Sequence, residues 1–98
     1  MTTYNRILLK ISGEAFSSHD GFGFDYTRLH TIASQIVDVA KQKKEIVIVV
    51  GAGNIWRYRD TKESGIERTA SDAMGMLATI MNAVALQSAL EKMGAFTR

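Results

Sequence analysis

The chain contains no cysteine. Disulfides and thiolate metal sites are therefore excluded. Histidine is almost as scarce. His19 and His30 are the only two, and they lack metal-ligand spacing, so no metal ligand is assigned. Long apolar runs are missing too. The first, Ile7 to Leu9, is cut short by Lys10, which argues against a signal peptide. The other apolar stretches fall well below the length of a membrane span. Nor is there an excess of charge of one sign, since the formal net charge is +2. Lys41, Lys43 and Lys44 cluster at an expected helix end, where cations suit the helix dipole. They read as solvated surface, not as a nucleic-acid patch. No internal repeat, linker or low-complexity segment is visible. These absences lead to the expectation of a cytoplasmic protein without membrane or nucleic-acid partners.

What is present is an ordinary globular composition: 98 residues, 46% apolar and 22% charged. That length holds at most one small domain. Residues 6–11 and 46–50 read as strands. The second is apolar at every position, which predicts burial on both faces. Between them Leu29, Ile32, Ala33, Ile36, Val39 and Ala40 recur at helical spacing, with Asp25 as the N-cap. Strand, helix, strand predicts a right-handed βαβ unit. A polar stretch runs from Arg57 to Arg68. A long helix follows, from about Thr69 to Met93, and stops at Gly94. Thr69 and Asp72 match a capping box with aspartate in place of glutamate. From Ala73 to Leu86 this helix is apolar almost all round, so it must be buried on several sides by other elements or another subunit. Residues 95–98 read as the start of a third strand. Two strands and two helices cannot cover this much apolar surface. The chain is expected to form the N-terminal part of a larger domain.

Two glycine-bearing turns follow the strands: Lys10-Ile-Ser12-Gly13-Glu14 and Gly51-Ala52-Gly53-Asn54. Ligands of open parallel sheets sit at the carboxyl ends of strands. Glycine there lets backbone N–H groups approach an anion. Gly13 and Gly53 are the expected backbone donors, Ser12 adds a hydroxyl, and Lys10 supplies an ammonium for a moving phosphoryl group. The pair of turns predicts a phosphate-binding crevice. It is not a Walker P-loop, because no G-x-x-x-x-G-K-[ST] string exists. It departs from the dinucleotide fingerprint, because Trp56 stands where the third glycine belongs. The Gly-rich loop of protein kinases and its companions are absent.

Four strings resemble the uridylate (UMP) kinases of the amino acid kinase superfamily. They are Arg6-Ile-Leu-Leu-Lys-Ile-Ser-Gly-Glu-Ala15, Gly21-Phe-Gly23, Gly51-Ala-Gly-Asn-Ile-Trp-Arg57 and Ser71-Asp-Ala-Met-Gly-Met-Leu-Ala-Thr-Ile-Met-Asn-Ala83. The last is the most specific. The resemblance implies an α/β fold, a three-layer αβα architecture with a mainly parallel sheet, of which only the N-terminal βαβα part is present. It implies transfer of the ATP γ-phosphoryl group to UMP, giving UDP for pyrimidine nucleotide biosynthesis. It makes Lys10 catalytic and places Lys10, Ser12, Gly13, Gly53 and Arg57 on the ATP side. It assigns Gly51, Ala52 and Asp72 to UMP, Asp72 through the ribose hydroxyls. Ser18, His19, Asp20, Gly21, Phe22 and Gly23 align with a stretch tied to GTP activation in some family members, and GTP and UTP become candidate effectors. Mg²⁺ follows from the reaction class. A homohexamer would account for the apolar helix.

Two positions depart from the family pattern. Ala52 stands where a glycine is usual; it keeps its N–H donor but adds a methyl group and gives up φ freedom. Tyr58 stands where glycine commonly follows Arg57. Two other readings stay open. One is a superfamily kinase acting on a carboxylate or carbamate, against which Asp72 speaks, because it would repel an acidic substrate. The other is a non-catalytic nucleotide-binding or assembly module.

Overall fold

A computed structural model describes residues 3–98. Strand β1 (Arg6–Ile11) leads into a single 3-10 turn (Gly13–Phe16). Helix α1 (Tyr26–Ala40) and strand β2 (Glu45–Val50) follow. A short helix α2 (Tyr58–Ser64) and the long helix α3 (Arg68–Lys92) complete the order. The two strands pair in parallel, from Arg6 opposite Glu45 to Ile11 opposite Val50. Arg6 Nε donates to Glu45 Oε2 at 2.6 Å across the start of this ladder. That hydrogen bond, with the Glu45 charge, pushes the exposed guanidinium above its ordinary pKa.

Helix α1 forms as its spacing predicts. The Asp25 carboxylate accepts from the Arg28 N–H at 3.1 Å, which satisfies one of the free donors of the first turn. Its apolar stripe, Leu29, Ala33, Ile36 and Val37, is buried against Ile46, Ile48 and Val50 of β2. The C-terminal half of α3 adds Leu86, Ala89 and Leu90 to the same core. Gly94, at φ 91°, lets α3 end in a Schellman motif: Gly94 N–H donates to Glu91 O at 3.0 Å and Ala95 N–H to Leu90 O at 3.1 Å.

One helical layer therefore covers one face of the sheet. Residues sharing the other face, Leu8, Val47 and Val49, stay 70%, 54% and 48% exposed. The arrangement is consistent with part of a three-layer αβα fold. It corrects the expectation that β2 is buried on both sides, because no second helical layer lies on that face among the described residues. Helix α3 is likewise half covered. Ala78, Asn82 and Leu86 are buried, while Met76, Leu77, Ile80, Met81 and Val84 face outward.

Further corrections concern local structure. The stretch Arg57–Arg68 holds a helix, α2, which buries no residue. Without an apolar stripe it has no helical periodicity to read. Thr69 and Asp72 do not cap α3. The N-cap is Glu67, without a side-chain hydrogen bond, and Asp72 lies inside the helix. Residues 95–98 form no strand, and Phe96 projects into solvent. An edge strand needs a neighbour to pair with. Finally, α3 is long and apolar enough, by length and composition, to cross a membrane, unlike the shorter runs expected. One face of it packs against α1 and buries Asn82, and 28% of its apolar window is covered.

Candidate functional site

The parallel pairing brings the two glycine turns side by side at the carboxyl ends of β1 and β2. Gly51 N–H donates to Ile11 O at 2.9 Å. A Cβ on Gly13 would collide with the backbone N of Gly53 and lie 2.7 Å from Asn54 Oδ1 and 2.8 Å from the Ala52 carbonyl carbon. One on Gly51 would meet Gly13 N at 3.1 Å. The two turns are thus in direct backbone contact, which only glycine at 13 permits. Residues 51–53 do not take positive φ, so Ala52 fits its position without strain. Over Gly53, the space a Cβ would fill is taken by the Glu14 carboxylate.

Lys10 is exposed at the end of β1, in register with Val49. No salt-bridge partner holds it among the described residues. Ser12 is exposed and immediately precedes the 3-10 turn. The sequence-predicted cluster of Lys10, Ser12, Gly13, Gly51, Ala52 and Gly53 is therefore brought together.

A buried amide pair locks the second turn, and sequence reasoning assigned it no role. Asn54 and Asn82 are both fully buried. Asn82 Nδ2 donates to Gly51 O at 2.7 Å and to Asn54 Oδ1 at 2.7 Å. Asn54 Nδ2 donates to Gly23 O at 3.0 Å and to Asn82 Oδ1 at 3.2 Å. Each amide nitrogen faces a backbone carbonyl, which only accepts, so each amide has one workable orientation. Asn82 sits in the middle of the apolar run of α3. A lone amide there is the signal that marks it.

Through Asn54 the pair also holds the loop 18–23. Gly23 N–H donates to Asn54 O at 2.7 Å. Gly21 and Gly23 take φ of 80° and 74°, a region open mainly to glycine. Asp20 Oδ1 accepts from the Phe22 N–H at 3.1 Å and the Ser18 hydroxyl at 3.4 Å. His19 and Phe22 are exposed. Arg57 reaches this loop: its Nη1 lies 3.7 Å from where a Gly21 Cβ would stand. Phe22, Gly53, Trp56 and Arg57 line one cleft of about 330 Å³ against α2. Another groove, about 450 Å³, is an apolar gap between the edge of β1 and α1 and lies on the core side of the sheet.

Asp72 does not join the glycine turns. It precedes Asn82 by ten residues, about 15 Å of helix axis. Its side chain is 64% exposed and pairs with Arg68, Nε to Oδ1 at 3.7 Å. The site is tied to this end of α3 through its neighbour Ser71, whose Oγ accepts from Trp56 Nε1 at 2.7 Å and contacts Thr61 Oγ1.

Residues 5–97 match the Amino acid kinase family. The chain belongs to that family. Among solved structures it is similar to UMP kinase from Ureaplasma parvum, with a TM-score of 0.87 and 39% identity over 97% of this chain and 42% of that one. It is also similar to UMP kinase from Bacillus anthracis, with a TM-score of 0.86 and 37% identity over 93% of this chain and 37% of that one. The chain thus spans about two fifths of the length of these kinases. As a member of the family it carries the α/β architecture of the fold.

Proposed function

We propose that the chain forms the N-terminal part of a UMP kinase, an enzyme that transfers the γ-phosphoryl group of ATP to UMP to give ADP and UDP. The observation that carries this reading is the contact between the two glycine turns beside Lys10 at adjacent parallel strand ends. The similarity to two UMP kinases supports it. The crevice would receive phosphates from two sides. Ser12 and the Gly13 and Gly53 backbone face the ATP phosphates, and Lys10 stabilises charge on the transferring group. Gly51 and Ala52 face the UMP phosphate, and Asp72 accepts from the ribose hydroxyls. Arg57, beside the loop 18–23, contacts ATP and couples that loop to the site. The loop is the candidate for a GTP or UTP effector response.

No three Asp, Glu or His side chains converge as a metal site among the described residues. Mg²⁺ is inferred from the reaction class and would enter with ATP as part of the substrate. The exposed Met76, Leu77, Ile80, Met81 and Val84 of α3 fit a homohexamer contact. The enzyme acts in the cytoplasm in pyrimidine nucleotide biosynthesis, without membrane or nucleic-acid partners. Residues 1–98 alone are expected to be inactive, because the open sheet face and the missing part of the ATP site leave the crevice incomplete.

The test is ADP release from Mg·ATP by the full-length enzyme, offered UMP, CMP or an acidic amino acid. Turnover with UMP alone is the expected result. Turnover only with the amino acid would keep the superfamily and overturn the role of Asp72. No turnover with any acceptor would favour a non-catalytic nucleotide-binding module.

A further inference from the structure

Tyr58, at the start of α2, carries two cations on its ring. Lys62 Nζ lies 5.4 Å and Arg68 Cζ 5.6 Å from the ring centroid. Arg68 opens α3 and pairs with Asp72 one turn later. The ring, the guanidinium and the carboxylate thus form one chain of contacts across the α2–α3 junction. Trp56 and Thr61 fix the same junction from behind, through the buried Ser71.

We propose that Arg68, braced by Tyr58, is a positioning residue that neutralises Asp72 for a nucleoside monophosphate. This rests on Asp72 as the sugar-hydroxyl acceptor. The physical need is electrostatic. A nucleoside monophosphate is close to a dianion, and a bare carboxylate in the same cleft repels it. A carboxylate can still accept from ribose hydroxyls while paired, because its two oxygens offer about four lone-pair sites. Arg68 cancels the charge and leaves free acceptor positions on the carboxylate. Both residues are solvent-exposed, with 73% and 64% side-chain exposure, so the unbraced pair would be weak and mobile. A cation held against an aromatic ring loses part of that mobility. Tyr58 thereby supplies what a small residue at this position could not.

Kinetics of the full-length enzyme separate this role from a structural one. Arg68→Ala should raise KM for UMP about fivefold, the repulsion of a dianion by one exposed carboxylate nearby. The kcat and the KM for ATP should move less than about twofold. The penalty should shrink as salt is raised from 0.05 M to 0.5 M, because screening acts on exposed charges. Competitive inhibition by uridine, which has no phosphate, should be unchanged. Tyr58→Ala should raise KM for UMP less than Arg68→Ala does, Tyr58→Phe should leave it alone, and the double variant should be no worse than Arg68→Ala. Equal loss of uridine and UMP binding, or additive effects of the two substitutions, would overturn the proposal. Asp72→Asn serves as the reference. If it leaves KM for UMP unchanged, the reading of Asp72 itself fails. If it raises KM for UMP while Arg68→Ala does not, only the role of Arg68 is refuted.

Discussion

Replacing Asn82 tests the idea that a buried amide pair shapes the crevice. Asn82→Ala removes the donor to Gly51 O and the donor to Asn54 Oδ1. Asn54 Nδ2 keeps Gly23 O as an acceptor. A buried acceptor, Asn54 Oδ1, and a part-buried one, Gly51 O, are thus orphaned, at about 1–3 kcal/mol each with Gly51 O toward the low end, or about 2–6 kcal/mol in total. Water entering the space left by the amide would place the result toward the lower end. Asn82→Asp should cost more than Asn82→Ala, because a carboxylate oxygen would face two acceptors with no proton between them. The assay is urea unfolding of the full-length protein followed by circular dichroism. A double-mutant cycle with Asn54→Ala should return a coupling of about 1 kcal/mol or more, since the two side chains bond each other reciprocally. A loss under about 0.5 kcal/mol for Asn82→Ala, or additive single and double variants, would refute the reasoning.

Four other substitutions test the same site. Lys10→Met should lower kcat by at least about 10²-fold in steady-state assays, as for loss of a transition-state charge contact; an unchanged kcat removes Lys10 from the mechanism. Gly13→Ala should destabilise by about 3 kcal/mol, because its methyl would press on fixed backbone of residues 52 and 53. Gly53→Ala should cost far less in the same melt, because it need only displace the flexible Glu14 carboxylate; equal costs would contradict the packing described. Ala52→Gly should lower stability by about 0.4–1 kcal/mol through unfolded-chain entropy alone, and a gain in stability would mean that position 52 is strained after all.

Local pattern was enough for much of this protein. The α1 stripe, its Asp25 cap, the strand at 6–11 and the Gly94 stop are all short-range features, written within one or two turns of chain. The strings around Lys10, Gly53 and Met74 were enough to indicate the kinase family, because glycine turns at strand ends are themselves local. What lay beyond the sequence was what depends on contacts between distant residues. Helix α2 has no apolar stripe to announce it. The Thr69–Asp72 capping box failed because the N-cap is Glu67, two residues earlier, and the aspartate found a cation instead. β2 is apolar from Ile46 to Val50, yet one face is bare, since coverage is decided by which other elements lie on the sheet.

The sequence by itself determined β1, α1, β2 and α3, their order and the chemistry available at the strand ends, because periodicity, caps and turn residues act over a few positions. Only the tertiary structure decided that Gly13 must be glycine, that Asn54 and Asn82 find each other across 28 residues, and that Tyr58 reaches Arg68. Those outcomes rest on through-space packing and on satisfying buried polar groups, and neither leaves a mark in the spacing of residues along the chain.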